Sequence, residues 1–530
     1  MTTVMSRRPG ARPVGRPGRA GFPQLLHAEW TKWRTVRRWG VTLLGAVLVT
    51  VLVSLFSALS STAETARGGG PPGPTDADGR PVRDAFSFAH RTLTGDGSIT
   101  ARVSVPAATG SGATAEWAKA GVLVKESTRP GADYAALMLT ARHGVRLQSG
   151  FTRDVAGSTV SPGDSRLLRL TREGPKVTGY ESADGRDWKK VGTVDLDGPD
   201  STGRAPHAVA AGFFVASPDI QSREREFGSA SIDQRPSASA ARFEQVRLDG
   251  RAAPAAWQHT DVGGDPARDP GELRSTENKG NEKTEKTEKS RANTGSAFTL
   301  SGSGDIGPAP PPNDLAVMVL DGAQLGLVLI AALGVLFVTA EYRRGMIRTT
   351  FALSPRRGRV LAAKAVVIGA VSFAAGLVAA FTAYLVSAPR LRGDDKPPIF
   401  GDIALGDGPM LRAVIGTAAV LALIAVLALG LGALLRSTAA AITVVVVVFV
   451  LPLILLSTLP LDLAHAVQRL TPVAGFAIQN TLPRYDQVAT VCLPEEGCYP
   501  QGPWTGLATL AAYAAVVLGA AVWRLRRRDV

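Results

Sequence analysis

Cysteine is nearly absent: the 530 residues contain two, Cys492 and Cys498, which excludes a fold built on a disulfide framework. Histidine is almost as scarce. Its six residues are scattered, and no His/Cys/Asp group has the spacing of a zinc site, so no metal is assigned and each His reads as a packing or surface residue. Aromatic residues make up only 6% of the chain. There is no Gly-x-x-x-x-Gly-Lys-Ser/Thr loop, so the chain has no P-loop to cradle nucleotide phosphates, and it is read as a non-enzyme without a bound cofactor. Hydrophobic residues at 45%, with 57 Gly and 35 Pro, exclude collagen and wholesale disorder.

Positive charge is plentiful, with 59 Lys and Arg against 45 Asp and Glu. A net +14 would suit a nucleic-acid binder if it were spread over the chain, but it is not. Residues 61–313 hold 32 basic and 32 acidic side chains and are neutral, so the whole excess lies outside them and no nucleic-acid partner is expected. There it flanks uncharged apolar runs at 41–60, 322–340, 365–389, 413–435, 437–461 and 502–523. Each is long enough to cross a hydrocarbon core of about 30 Å at about 1.5 Å per residue. The sequence predicts a polytopic α-helical membrane protein with six spans.

Lys and Arg next to spans are retained on the cytoplasmic side. With the N-terminus inside, residues 1–40, 341–364, Arg436 and 524–530 carry 21 basic and 3 acidic residues, while the outer loops and margins carry 6 and 10. The sum closes, since +18 and −4 give +14. The expected location is therefore the cell membrane, with both termini cytoplasmic and residues 61–313 outside. Arg37-Arg38-Trp39-Gly40 faintly resembles a twin-arginine signal. The run 41–60 is longer than a signal core of about 7–15 residues, however, and reads as a permanent span.

Along the chain, residues 1–21 are rich in Arg, Pro and Gly without periodicity and are read as disordered. Residues 22–60 read as an interfacial helix and the first span, or as a cytosolic extension of that span with a Trp belt, with Leu26, Trp30, Trp33 and Arg37 at helical spacing and tryptophans suited to lipid headgroups. Residues 61–250, with a core at 82–250, turn to short alternating runs bounded by Gly, Pro, Asp and Ser, the pattern of an antiparallel sandwich. Ten runs begin near Phe86, Ile99, Ala120, Tyr134, Gly144, Arg166, Lys176, Trp188, Ala208 and Ala241. Residues 251–313 read as a low-complexity linker, in which Phe298-Thr299-Leu300 offers one more strand, and 314–530 as spans two to six.

The connection after span two runs Glu341-Tyr342-Arg343-Arg344-Gly345-Met346-Ile347-Arg348-Thr349-Thr350-Phe351-Ala352-Leu353-Ser354-Pro355-Arg356. It resembles the first cytoplasmic loop of type 2 ABC transporter permeases: an acidic residue closes the span, a Gly and an apolar helix follow, then a Ser-Pro-Arg break, and Lys364 enters span three. In that family the loop is the coupling helix that docks into an ATPase subunit. The resemblance implies ATPase coupling for Glu341, Arg343, Arg344, Gly345, Met346, Ile347, Arg348, Phe351, Ser354, Pro355 and Arg356. It also implies two copies of a separate ABC ATPase, which would bind ATP and magnesium, and a second permease subunit, identical or homologous. The resemblance extends to the six-span plan, the hairpin at Arg436 and the long loop before span six.

The outer domain resembles concanavalin-like or laminin-G-like jelly rolls through 119–127, 144–148, 168–172 and 179–188. Some relatives bind glycans; the facing carboxylates that glucanases need are absent. Trp117 and Trp188 offer stacking surfaces to a cell-surface glycan or serve as sandwich core. Asp314 and Asp321 stand at the outer margin of span two, where Asp321 is expected to face water rather than lipid. Pro452, and the stretch 461–482 with Pro472 and Gly475, suggest an interrupted helix or re-entrant half-helices, read as a substrate-side gate or an amphipathic surface loop. Cys492 and Cys498, in one outer loop with five residues between them, are expected to form a disulfide. The expected function is the permease subunit of an ATP-driven exporter. The alternative is a membrane-anchored glycan-binding or sensory protein without transport.

Overall fold

The computed structural model describes residues 21–65, 73–109, 112–196, 207–226, 229–252, 255–264, 271–276, 297–309, 314–343, 357–391, 404–456, 458–488, 492–494 and 497–527. The basic segment 1–20 lies outside them.

The chain begins with two helices, α1 (Phe22–Thr35) and α2 (Arg37–Thr65), separated at Val36, which leaves the helical region at φ −95°. Helices resume with α3 (Leu315–Leu320) and α4 (Ala323–Arg343), then α5 (Arg357–Leu391), α6 (Gly408–Leu435), α7 (Thr438–Leu456), α8 (Leu461–Leu470), a 3-10 helix (Pro472–Gln479) and α9 (Pro503–Arg527). Six stretches among the described residues are long and apolar enough to cross a membrane: Arg37–Ser60, Leu315–Arg343, Arg357–Leu391, Gly408–Leu435, Thr438–Leu456 and Pro503–Arg527. Each coincides with one expected span. Two details differ. Pro452 lies inside a continuous α7, and that helix stops at Leu456 rather than running on to 461. Span two is broken at Asp321, the C-cap of α3, before α4 restarts.

At the centre of the bundle, α6 packs against α4 and α5 through Leu327, Ile330, Leu333, Ile368, Leu421, Ile424 and Leu429. Small residues permit the close approach. A Cβ on Gly416 of α6 would lie 2.1 Å from Cγ1 of Ile478, so the 3-10 helix seats directly on the backbone of α6.

Between α2 and α3 lies a β sandwich. Its hub is β2 (Phe86–Ser104), whose first half pairs with β11 (Ala208–Ala216) and whose second half pairs with β8 (Ser165–Glu173) and β14 (Ala238–Ala252). The strand changes sheets around Gly95, which has φ +69°, a conformation open to glycine. One layer continues from β11 through β4 (Lys119–Lys125), β5 (Tyr134–Thr140), β6 (Val145–Ser149) and β7 (Arg153–Ala156). The other continues from β8 to β9 (Lys176–Ser182) and β10 (Lys189–Asp195).

Every residue of β4 and β5 is buried, because this layer is covered on both faces. One face joins the inter-sheet core of Val122, Leu137, Phe213 and Phe243, and the other packs Leu123, Met138 and Phe214 against Val82, Phe151 and Ile306. The segment expected to be a linker adds β15 (Gln258–Val262), β16 (Leu273–Thr276), β17 (Ala297–Ser303) and β18 (Ile306–Pro308), so the β domain extends well beyond 250. β18 pairs with β1 (Val82–Asp84) to form a short stem through which the sandwich joins the helices.

Candidate functional site

Gly21 and Pro23 start α1, whose Trp30 and Trp33 stack at 5.3 Å between ring centroids. The same helix carries Glu29, 2% exposed. Two further charges are buried beside it: Glu341, two residues before the end of α4, and Lys364, in the second turn of α5. Lys364 Nζ donates to Glu29 Oε2 at 2.7 Å and to Glu341 Oε1 at 2.6 Å. Lys32 Nζ donates to Glu29 Oε1 at 2.9 Å and to Glu341 Oε1 at 3.2 Å. Two carboxylates and two ammonium groups thus form a neutral cluster joining three elements.

The cluster is closed from the bundle side by aromatic rings. Lys364 Nζ stands 5.0 Å from the centre of the Phe337 ring, against which Trp39 packs edge-on at 4.9 Å. Only Lys32 reaches solvent, with 40% of its side chain exposed. Desolvation would lower its pKa, but hydrogen bonds and charge from Glu29 and Glu341 hold it above the ordinary lysine value. Buried ion pairs of this kind contribute little net stability, yet removing one partner costs about 3–5 kcal/mol, so the cluster fixes geometry above all.

The remaining helix ends are tied together at the same end of the bundle. Arg436 caps α6 in the left-handed region (φ 55°), its N–H donating to Gly432 O and its guanidinium lying 5.7 Å from the Tyr342 ring centre. Arg524 Nη1 donates to Leu434 O at 2.8 Å, Arg357 Nη1 to Leu525 O at 3.2 Å, and Thr438 Oγ1 to Thr339 Oγ1 at 2.9 Å. The connection 344–356 leaves from this braced surface and returns to it.

The expected coupling residues divide accordingly. Glu341 is in the cluster, and Arg343 is the exposed last residue of α4. Arg344, Gly345, Met346, Ile347, Arg348, Phe351, Ser354, Pro355 and Arg356 lie outside the described residues. Sequence reasoning missed Glu29 and Lys32. One signal was available: Glu29 is the sole acidic residue among the first 63, beside nine basic ones. Trp117 is 7% exposed and stacks on His143 at 3.9 Å, while half-buried Trp188 has the Arg169 guanidinium 4.0 Å from its ring centre. Each ring therefore already has a partner on one face.

At the opposite end, α8 and the 3-10 helix form a bent pair, and all eight residues of the 3-10 helix are buried. Gln479 Nε2 donates to Thr417 Oγ1 at 3.1 Å, and the Arg412 guanidinium donates to Asn480 O. Asp314 caps α3 through Ala316 N and accepts from Thr481 N, Thr481 Oγ1 and Leu482 N at 2.5, 2.6 and 3.1 Å. Asp321 accepts from Ser57 Oγ at 3.1 Å. Cys492 and Cys498 are joined by a disulfide. The bridged loop supports α8, because Cys492 O bonds His465 Nε2 at 2.9 Å and Cys498 O accepts from Gln468 Nε2 at 3.2 Å. Among the described residues no group of acidic, His or Cys side chains could hold a metal.

No family model and no curated protein matches the chain. Among solved structures it is similar to SCP-B, a member of the Eqolisin family of peptidases, at 14% identity and a TM-score of 0.25, over 42% of this chain and 98% of that one. It is also similar to the GH43 protein BlXynB of Bacillus licheniformis, at 16% identity and a TM-score of 0.18, over 23% of this chain and 24% of that one. A xylan beta-1,4-xylosidase from Bacillus halodurans C-125 gives 13% identity and a TM-score of 0.18, over 24% and 29%. Likenesses this faint carry no argument about chemistry.

Proposed function

We propose that the chain is the membrane-spanning permease subunit of an ATP-driven exporter, driven by a separate ATPase through residues 341–356. The observation that carries this reading is the buried Glu29–Lys364–Glu341–Lys32 cluster, which locks α1, α4 and α5 together at the point where that connection leaves and re-enters the bundle. A push delivered there by a partner would move three elements as one body.

The helices are read as spanning the bilayer, which their outward faces support: Leu52, Phe56 and Val516 are 61%, 71% and 69% exposed, suited to lipid and costly in water. The cluster then lies on the cytoplasmic side and the β domain outside, by the bias in Lys and Arg. The bent pair of α8 and the 3-10 helix serves as the outer gate. ATP and magnesium belong to the partner ATPase, present in two copies, and a second permease subunit completes the pathway.

Affinity purification of the tagged chain from its native membranes tests the reading. A nucleotide-hydrolysing subunit should copurify, and the Ile347→Ala/Phe351→Ala variant should lose it while still inserting into the membrane, because interface energy concentrates in a few buried side chains. No copurifying ATPase would overturn the permease reading. Undiminished copurification with the double variant would overturn the assignment of the loop.

A further inference from the structure

The elbow between α1 and α2 gathers cations that the fold does not use. Arg34 lies in the last turn of α1, and Arg37 and Arg38 open α2 directly after Val36. All three are exposed, and none has a carboxylate partner among the described residues. Glu29 is the one acidic residue between 21 and 60, and it is buried. It and Glu341 are already matched by Lys32 and Lys364, so the accessible charge of the elbow is positive.

A second feature is independent of charge. Arg37 heads a line of apolar side chains that follow at helical spacing along α2: Val41, Leu44, Leu48, Leu52 and Phe56, each between 52% and 71% exposed. Trp30 stands one turn before Arg34 on the same face of α1, 43% exposed and stacked on Trp33. An amphipathic ring at that level suits the zone between headgroups and acyl chains.

We propose that the elbow binds an anionic phospholipid, with its headgroup on Arg34, Arg37 and Arg38 and an acyl chain along the exposed stripe of α2. Guanidinium groups pair well with a phosphate diester, and three cations without carboxylates favour a headgroup of net negative charge over a zwitterionic one. The stripe decides between a lipid and a soluble acidic protein, which would meet the charge but leave five apolar side chains uncovered. The inference rests on reading the helices as spans and is independent of transport.

The full-length chain reconstituted into vesicles of equal parts phosphatidylglycerol and phosphatidylcholine tests it. The acyl chains are brominated on one lipid or on the other, so that quenching of tryptophan fluorescence reports which lipid lies beside the protein. Brominated phosphatidylglycerol should quench more strongly, as for an enrichment of about twofold or more, since each Arg near an anionic surface is worth about 1 kcal/mol. The excess should fall by more than half in Arg34→Gln/Arg37→Gln/Arg38→Gln, and also at about 1 M salt, where the Debye length is about 3 Å. Trp30→Phe keeps the charges and should lose part of the excess, which makes it the second variant should the triple one fail to fold. Equal quenching by the two lipids, or an excess unchanged in the variants, would overturn the proposal and leave the spans standing. Quenching by neither lipid would overturn the spans themselves, and the proposal with them. A triple variant that keeps the lipid preference but no longer copurifies with an ATPase subunit would assign the elbow to a protein partner and overturn the proposal.

Discussion

Replacing Lys364 by Met keeps the length and most of the volume of the side chain but removes the charge that both buried carboxylates share. Glu29 and Glu341 are 2% and 7% exposed, and without Lys364 only half-exposed Lys32 remains, at 2.9 and 3.2 Å. One cation then faces two anions in a site closed by Phe337 and Trp39. Breaking a buried pair in this way costs about 3–5 kcal/mol, or roughly 6–20 °C of melting temperature for a bundle of this size. The loss should appear in thermal unfolding of the purified protein followed by tryptophan fluorescence, to which Trp30, Trp33 and Trp39 contribute from next to the cluster. Adding Glu341→Gln should recover part of it, because one anion and one cation are again matched. A Lys364→Met variant as stable as the parent, or a double variant no better than the single one, would refute the account of the cluster as an interdependent buried unit.

Other consequences are as direct. Cys492→Ser/Cys498→Ser should destabilise the loop under α8 by about 2 kcal/mol, read as faster hydrogen exchange at 461–500 with little change in the β domain. Gly416→Ala should cost about 1–3 kcal/mol, because the new methyl meets Cγ1, Cγ2 and Cβ of Ile478 at 2.1, 3.0 and 3.1 Å and so cannot be relieved by turning the end of a side chain. Ile478→Ala should restore much of that loss in the thermal melt. Burial, helped by the charge of His259, lowers the His90 pKa, and burial first of all lowers that of His143. The unfolded chain therefore takes up protons first, so this contribution is intact above about pH 6.5 and declines below it. His90→Gln should flatten the loss of β-domain stability measured between pH 7 and pH 5.

The spans were legible because twenty uncharged residues leave little choice of environment, and the strands because alternating runs were punctuated by Gly and Asp. Other features depended on distant pairing. Lys119 and Lys125 bracket the apolar run of β4 and look from the sequence like the solvent-exposed ends of a strand. They are buried because the stem strands β1 and β18, only three residues each, cover the second face of that sheet, and elements so short leave no periodic signature. The acidic and basic composition of 251–313 hid β15, β16 and β18 in the same way, although Phe298-Thr299-Leu300 did mark β17; β15 forms by pairing with β2, and β16 by pairing with β17. Glu341 and Lys364 were visible through a resemblance; Glu29, which completes the cluster from 312 residues upstream of Glu341, was visible only as an isolated negative charge.

One path through the chain passes all these features in turn. The β18 strand, paired with β1 in the stem, leads within a few residues to Asp314, whose carboxylate accepts from Thr481 and Leu482 at the end of the 3-10 helix. From there α3 and α4 run to Glu341 in the ion-pair cluster. The break at Asp321 is pinned by Ser57 Oγ, and Gly322 N donates to Ser54 Oγ at 3.2 Å, so α2 follows α4 at its bend. The helical segment is thus tied at one end by hydrogen bonds to the Asp314 carboxylate and at the other by the ion pairs of Glu341. Under the permease reading proposed above, a displacement at the loop end would reach the 3-10 helix and the foot of the β domain through α4 and α3, which meet at the turn of Asp321 and Gly322.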